Sequence, residues 1–140
     1  MATRSQERSA SSWTRRMILD TNIVIYSIKP KFDSLRAYLV ANQEDLRVSL
    51  ITKIETLGYY KLAPRDQKKF ERFFQLVPAF SLHENVIIEA IRLRQQRKRS
   101  VRDSIIAATA LRHQLSLLTN NTVDFEDISG LRMISLQSIS

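Results

Sequence analysis

The chain has 140 residues, 44% of them hydrophobic, which suffices for one filled core and leaves no room for a second full domain. It contains no cysteine, so disulfides, thiolate metal sites and a cysteine nucleophile are excluded, and that composition suits a reducing cytoplasm. Lys and Arg outnumber Asp and Glu by 22 to 14, and the resulting net charge of +8 favours a polyanionic partner.

Residues 1–16 (MATRSQERSASSWTRR) are polar, rich in Ser and Arg and without an apolar centre. They make no secretory signal and read as a disordered extension ahead of one domain over 17–140. They carry four Arg and one Glu, so the remainder keeps a net charge of +5. The apolar run Met17 to Leu19 ends at Asp20, and Thr21-Asn22 opens an apolar-periodic segment to about Ile28: a strand feeding a helix. Leu46 to Leu50 repeats the event into a helix over 51–61, on which Ile51, Ile54, Leu57 and Gly58 share one face. Pro64 suits a first helical turn, and 66–76 is amphipathic with Phe70, Phe73 and Phe74 inward. A short strand is expected within 77–82, a long helix with a very basic end over 84–99, and a helix apolar around most of its circumference, hence buried, over 104–115. Leu117 to Thr119 and Met133 to Leu136 complete the strands.

Alternating strands and helices, with short runs rich in Ile, Leu and Val, imply an α/β fold with a parallel sheet and helices on both faces. No apolar run approaches the roughly 20 residues of a membrane span. The two glycines, Gly58 and Gly130, cannot build a phosphate-cradling loop, which removes P-loop and dinucleotide-binding readings.

His83 and His113 stand far apart without ligand-like spacing, so any metal site must be built mainly from oxygen, which points to hard cations such as Mg²⁺ or Mn²⁺. The candidate ligands are Asp20 in ILDTN, Glu55 in TKIET, Asp103 in VRDSI and Asp124 in NNTVDF. Each also has a purely structural explanation. Asp20 suits an N-cap, Thr52 to Glu55 and Ser100 to Asp103 match the capping box, and Asp124 suits a turn. On a parallel sheet, however, strand carboxyl ends and the following helix N-termini share one edge, where ligands bind. Acids gathered there repel one another unless a divalent cation lies between them. Two such cations roughly 3.5–4 Å apart can activate water and stabilise the leaving oxygen in phosphodiester hydrolysis. Arg92, Arg94, Arg97, Lys98, Arg99 and Arg102 run directly into Asp103, and of these Arg94, Arg97, Lys98, Arg99 and Arg102 are the candidate contacts to nucleic-acid phosphates; the alternative is a solvated helix face.

Taken together and in this order, ILDTNIVIY, the acid of ITKIETLGY, RDSIIAATAL and LLTNNTVDF resemble the PIN domain of VapC-type toxins, the ribonuclease halves of toxin–antitoxin pairs. The resemblance implies a PIN-like three-layer α/β/α sandwich around a parallel sheet and Mg²⁺- or Mn²⁺-dependent RNA cleavage. It further implies inhibition by a cognate antitoxin, and a homodimer. Asp20 resembles the central metal ligand, Asp103 and Asp124 the further metal-binding acids, and Glu55 a second acid acting partly through water. Thr119 and Asn121 match the polar pair of the family's T-x-N-x-x-D-F segment, and Asn22 the asparagine after the first acid. On this resemblance Asn121 braces the acids, Asp124 faces the metal and Phe125 packs beneath.

Three rivals are weaker. A non-catalytic RNA-binding protein keeping the fold would be favoured by loss of an acid, and none is lost. A phosphatase-like aspartyl nucleophile lacks its D-x-D, since Thr21-Asn22 follows Asp20. A DNA-binding regulator lacks a helix-turn-helix pattern around Arg92 to Arg102.

Overall fold

The first strand sets the architecture. Met17, Ile18 and Leu19 form β1 and are fully buried, which requires cover on both faces. A computed structural model describes residues 16–139. After β1 (Met17–Leu19) come α1 (Thr21–Ser27), α2 (Asp33–Ala41), β2 (Leu46–Ser49), α3 (Leu50–Leu57), α4 (Pro64–Leu76) and β3 (Ala79–Phe80). Then follow α5 (Glu84–Gln96), α6 (Val101–His113), β4 (Ser116–Thr119) and β5 (Met133–Ser135). The strands lie in the order β3-β2-β1-β4-β5 and every pairing is parallel.

Because side chains alternate across a strand, β1 and β4 feed two separate cores. Ile18 and Leu117 join Val86, Leu93 and the buried face of α6 on one side. Met17, Leu19 and Leu118 join Ile23, Leu35, Leu39 and Phe70 on the other. The result is the expected three-layer sandwich. No helix among the described residues is long and apolar enough to cross a membrane.

Several local expectations change. The extension assigned to 1–16 lies outside the described residues except for Arg16, whose carbonyl accepts a hydrogen bond from Ser116 N–H (3.1 Å), so the β1–β4 ladder begins before Met17. Residues 33–41, unassigned from the sequence, form α2 against the second core through Leu35 and Leu39. On α3 the buried residues are Thr52 and Thr56, while Ile54 is exposed. The reason is polar: Thr52 Oγ1 pairs with Thr21 Oγ1 (3.0 Å), and Thr56 Oγ1 donates to the Thr52 carbonyl (2.9 Å). Among the phenylalanines of α4, Phe70 is buried, whereas Phe73 and Phe74 are half-buried and packed edge to face.

The helix expected to run to Arg99 ends at Gln96, and Arg97 is extended. This lets Ser100 cap α6 by accepting from Asp103 N–H (3.0 Å), so α6 starts at Val101 rather than 104. At its far end α6 stops at His113, with Gln114 in the left-handed conformation at φ 55°.

Candidate active site

The strand order reverses direction between β1 and β4, and the carboxyl ends of these neighbours define the crevice where an open parallel sheet binds ligands. Asp20 follows β1 and Thr119 ends β4. The ladder aligns Leu19 with Leu118, and Asp20 N–H continues it to the Leu118 carbonyl (2.9 Å). The two side chains therefore meet: Thr119 Oγ1 donates to Asp20 Oδ2 (2.8 Å). The other carboxylate oxygen, Oδ1, accepts from Thr21 N–H (2.8 Å), so Asp20 is also the N-cap of α1.

Asp20 is buried, and burial pushes its carboxyl above the ordinary aspartate range. The Thr119 hydrogen bond opposes this. The negative charge of Asp103 adds to the rise, and the Arg102 guanidinium and Thr21 N–H counter it. Asp103 is thus an electrostatic neighbour of Asp20 even though α6 follows α5 with no strand between them. Its carboxylate Oδ1 accepts from Arg102 Nε at 3.4 Å, while its own N–H bonds Ser100, so the box has only its Ser half.

Glu55 lies in the middle of α3 and does not serve as a capping-box acid, because the cap of α3 is Ser49, accepting from Ile51 N–H (3.2 Å). Its Oε1 accepts from Thr21 Oγ1 (3.3 Å) and lies 3.8 Å from Arg102 Nε. Asp20, Glu55 and Asp103 are therefore joined through Thr21 and Arg102. Asp124 is reached by a second route. Thr119 Oγ1 accepts from Asn121 N–H (3.0 Å), and Asn121 Nδ2 donates to Asp124 Oδ2 (2.6 Å). Phe125 is buried beneath this turn, and Asn22 is half-buried in the first turn of α1.

The basic residues divide. Arg94, Arg97 and Lys98 are exposed; Arg94 Nε donates to the Arg99 carbonyl (3.2 Å) and Arg97 pairs with Asp127 (3.1 Å). Arg99 departs from the expected RNA contact. Its side chain is only 2% exposed, with Nε on the Leu93 carbonyl (3.1 Å), one terminal nitrogen on Asp127 (2.5 Å) and the other 3.5 Å from the Asp124 carbonyl. It ties the end of α5 to the acid-bearing loop and cannot face a substrate. The Arg99 bond holds the Asp127 carboxyl below the usual range. Asp127, Thr21 and Thr52 were not visible as site-building residues in the sequence; the only signal was that Thr21 and Thr52 sit in the turns where two strands give way to helices.

The donors at this edge are all oxygen, they include a buried carboxylate beside a second negative charge, and in that respect they fit a hard divalent cation. Among the described residues no three His, Asp or Glu side chains are close enough to hold a metal ion by themselves. A cation that takes one or two carboxylates and keeps much of its water suits such a set, which is how Mg²⁺ usually binds.

Residues 17–131 match the PIN domain family. Over 125 residues the chain is 30% identical to the tRNA(fMet)-specific endonuclease VapC of Shigella flexneri, an alignment covering 84% of this chain and 95% of that protein. It is similar to the DNA-bound VapBC from Salmonella typhimurium, with a TM-score of 0.76, 26% identity, and coverage of 86% of this chain and 97% of the other. It also resembles the toxin–antitoxin complex from Klebsiella pneumoniae, with a TM-score of 0.71, 28% identity, and coverage of 85% and 96%.

Proposed function

Since the chain belongs to the PIN-domain family and is of the VapC endonuclease type, we propose that it is a divalent-metal-dependent endoribonuclease, the toxin of a toxin–antitoxin pair. The observation that carries this reading is Asp20: a buried carboxylate at the switch point, held by Thr119 from the neighbouring strand and facing the charge of Asp103. A charge is buried at such cost only where something positive repays it.

In this reading Asp20 and Asp103, with Asp124 and Glu55 at the margin, hold Mg²⁺ or Mn²⁺. The bound cation supplies a water acidic enough to attack a phosphodiester at neutral pH, and stabilises charge on the departing oxygen. Thr119 and Thr21 fix the Asp20 carboxylate in direction and favour its charged form, and Asn121 fixes the direction of Asp124. Arg94, Arg97 and Lys98 provide exposed positive charge for the RNA backbone. The partners are RNA and a cognate antitoxin, in keeping with the VapBC and toxin–antitoxin assemblies that the fold resembles.

A homodimer is part of the same proposal. One apolar surface open to it is the outer face of α5, where Ile87, Ile88 and Ile91 are exposed. A monomer mass in sedimentation at micromolar concentration would remove it.

The deciding experiment is cleavage of total RNA by the purified protein and by Asp20→Asn, each with Mn²⁺, Mg²⁺ or chelator. Metal-dependent cutting that is lost in the variant is expected. Cutting that survives in chelator, or in a folded Asp20→Asn protein, would defeat the assignment of Asp20 as the central ligand.

A further inference from the structure

Arg102 is the cation already present among the acids. Its Nε lies 3.4 Å from Asp103 Oδ1 and 3.8 Å from Glu55 Oε1, and its charge also acts on Asp20. The side chain is only one-third exposed, although it grows from the first turn of α6, with solvent open beside it at Val101. That placement runs against the helix dipole, which favours anions and disfavours cations at an N-terminus. The carboxylates must supply the attraction that holds it there. A guanidinium cannot relieve the situation by losing its proton, so it leaves only when another cation replaces it.

Resting on the metal-dependent reading above, we propose that Arg102 is an internal counterion: it occupies the carboxylates of Asp103 and Glu55 in the metal-free protein and must be displaced when a divalent cation binds. The metal then competes with a charge tethered at high effective concentration, and the residue sets the cation concentration at which the site fills. Without Arg102, Asp103 and Glu55 lose their nearest cation and the charge of Asp103 acts on buried Asp20 without that offset, which destabilises the metal-free protein and raises its appetite for a cation. Arg102 therefore trades metal affinity for stability of the empty site.

The test is calorimetric titration of Mn²⁺ alone, without RNA, into the metal-stripped full chain, comparing wild type, Arg102→Gln and Arg102→Lys. Arg102→Gln should bind Mn²⁺ roughly tenfold more tightly, within the range by which neighbours of metal ligands tune affinity. It should also melt below wild type in chelator and gain more in Tm on adding Mn²⁺. Arg102→Lys keeps the charge and should stay near wild type, which guards against a glutamine variant that fails to fold. Equal Mn²⁺ affinity in Arg102→Gln and wild type overturns the counterion and leaves the nuclease reading intact. Weaker binding in Arg102→Gln also overturns it, making the residue a brace for the ligands. If none of the three proteins binds Mn²⁺ at millimolar concentration, the metal reading beneath the proposal fails as well.

Discussion

The floor of the site and its rim are built by different means. On the floor, Asp20 and Thr119 are buried, and their meeting follows from the pairing of two adjacent parallel strands. On the rim, Glu55 is exposed and Asp124 half-buried, and each is held by a side chain: Glu55 by Thr21, Asp124 by Asn121. Floor geometry is thus a property of the fold, and disturbing it moves strands. Rim geometry is a property of individual hydrogen bonds, which can rearrange without moving strands.

Asp20→Asn should break the contrast most deeply, lowering RNA cleavage on the order of 10³-fold by removing the central charge of the site. Its stability should move the other way. Burial raises the folded carboxyl above 3.8, so ionised Asp20 costs stability above that pH. In chelator the variant should therefore melt higher than wild type at pH 7, with the gain growing as pH rises through the raised folded value and vanishing below about pH 3.8. A melt difference independent of pH would contradict the buried charge.

Next in size is Arg99→Met, which takes the donor from the Leu93 and Asp124 carbonyls and leaves Asp127 paired with Arg97 alone; about 2 kcal/mol of stability should be lost in denaturant unfolding. Here the sign is the usual one for a depressed carboxyl. The contribution of Asp127 is complete above about pH 3.8 and is lost as pH falls through its lowered folded value, so wild type and Asp127→Asn should converge only in that acid range.

Thr119→Val tests the floor by one hydroxyl. Mn²⁺ affinity and cleavage should fall about 10–100-fold, with Thr119→Ser restoring both, because the oxygen and not the methyl holds Asp20 and receives Asn121 N–H. The corresponding rim change, Asn121→Ala, should cost about tenfold or less and leave Tm unmoved. Equal penalties for the two would erase the distinction between floor and rim. Smallest is Gln114→Gly, at a left-handed helix end remote from both; a gain of about 0.5–1 kcal/mol with unchanged cleavage is expected from equilibrium unfolding.

The sequence carried the floor well, for a physical reason. Apolar runs that stop abruptly at Asp20 and Thr119 mark buried strands ending in polar groups, and parallel topology places both ends on one edge. It carried the basic lane poorly. Arg99 reads like its neighbours Arg97 and Lys98, and only the acid of Asp127, brought in from 28 residues away, separates a buried clamp from a surface charge. Composition misled on α3 too, since a helix with isoleucines at regular spacing buries its threonines, one hydroxyl pairing with Thr21 at the sheet edge and the other with the helix's own backbone. Where α5 stops was equally hidden, because a run of basic residues has good helical propensity and breaks only to let Ser100 cap the next helix.

The contact between Thr119 and Asp20 spans 99 residues of chain. During synthesis the first strand, with its aspartate, emerges well before the strand whose hydroxyl fixes that aspartate. A nascent chain halted before Ser116 has no fourth strand and no route from Asp20 to Asn121 and Asp124. The direction of the central carboxylate is therefore set only once strands far apart in sequence have paired, which makes the site's geometry a readout of the assembled sheet.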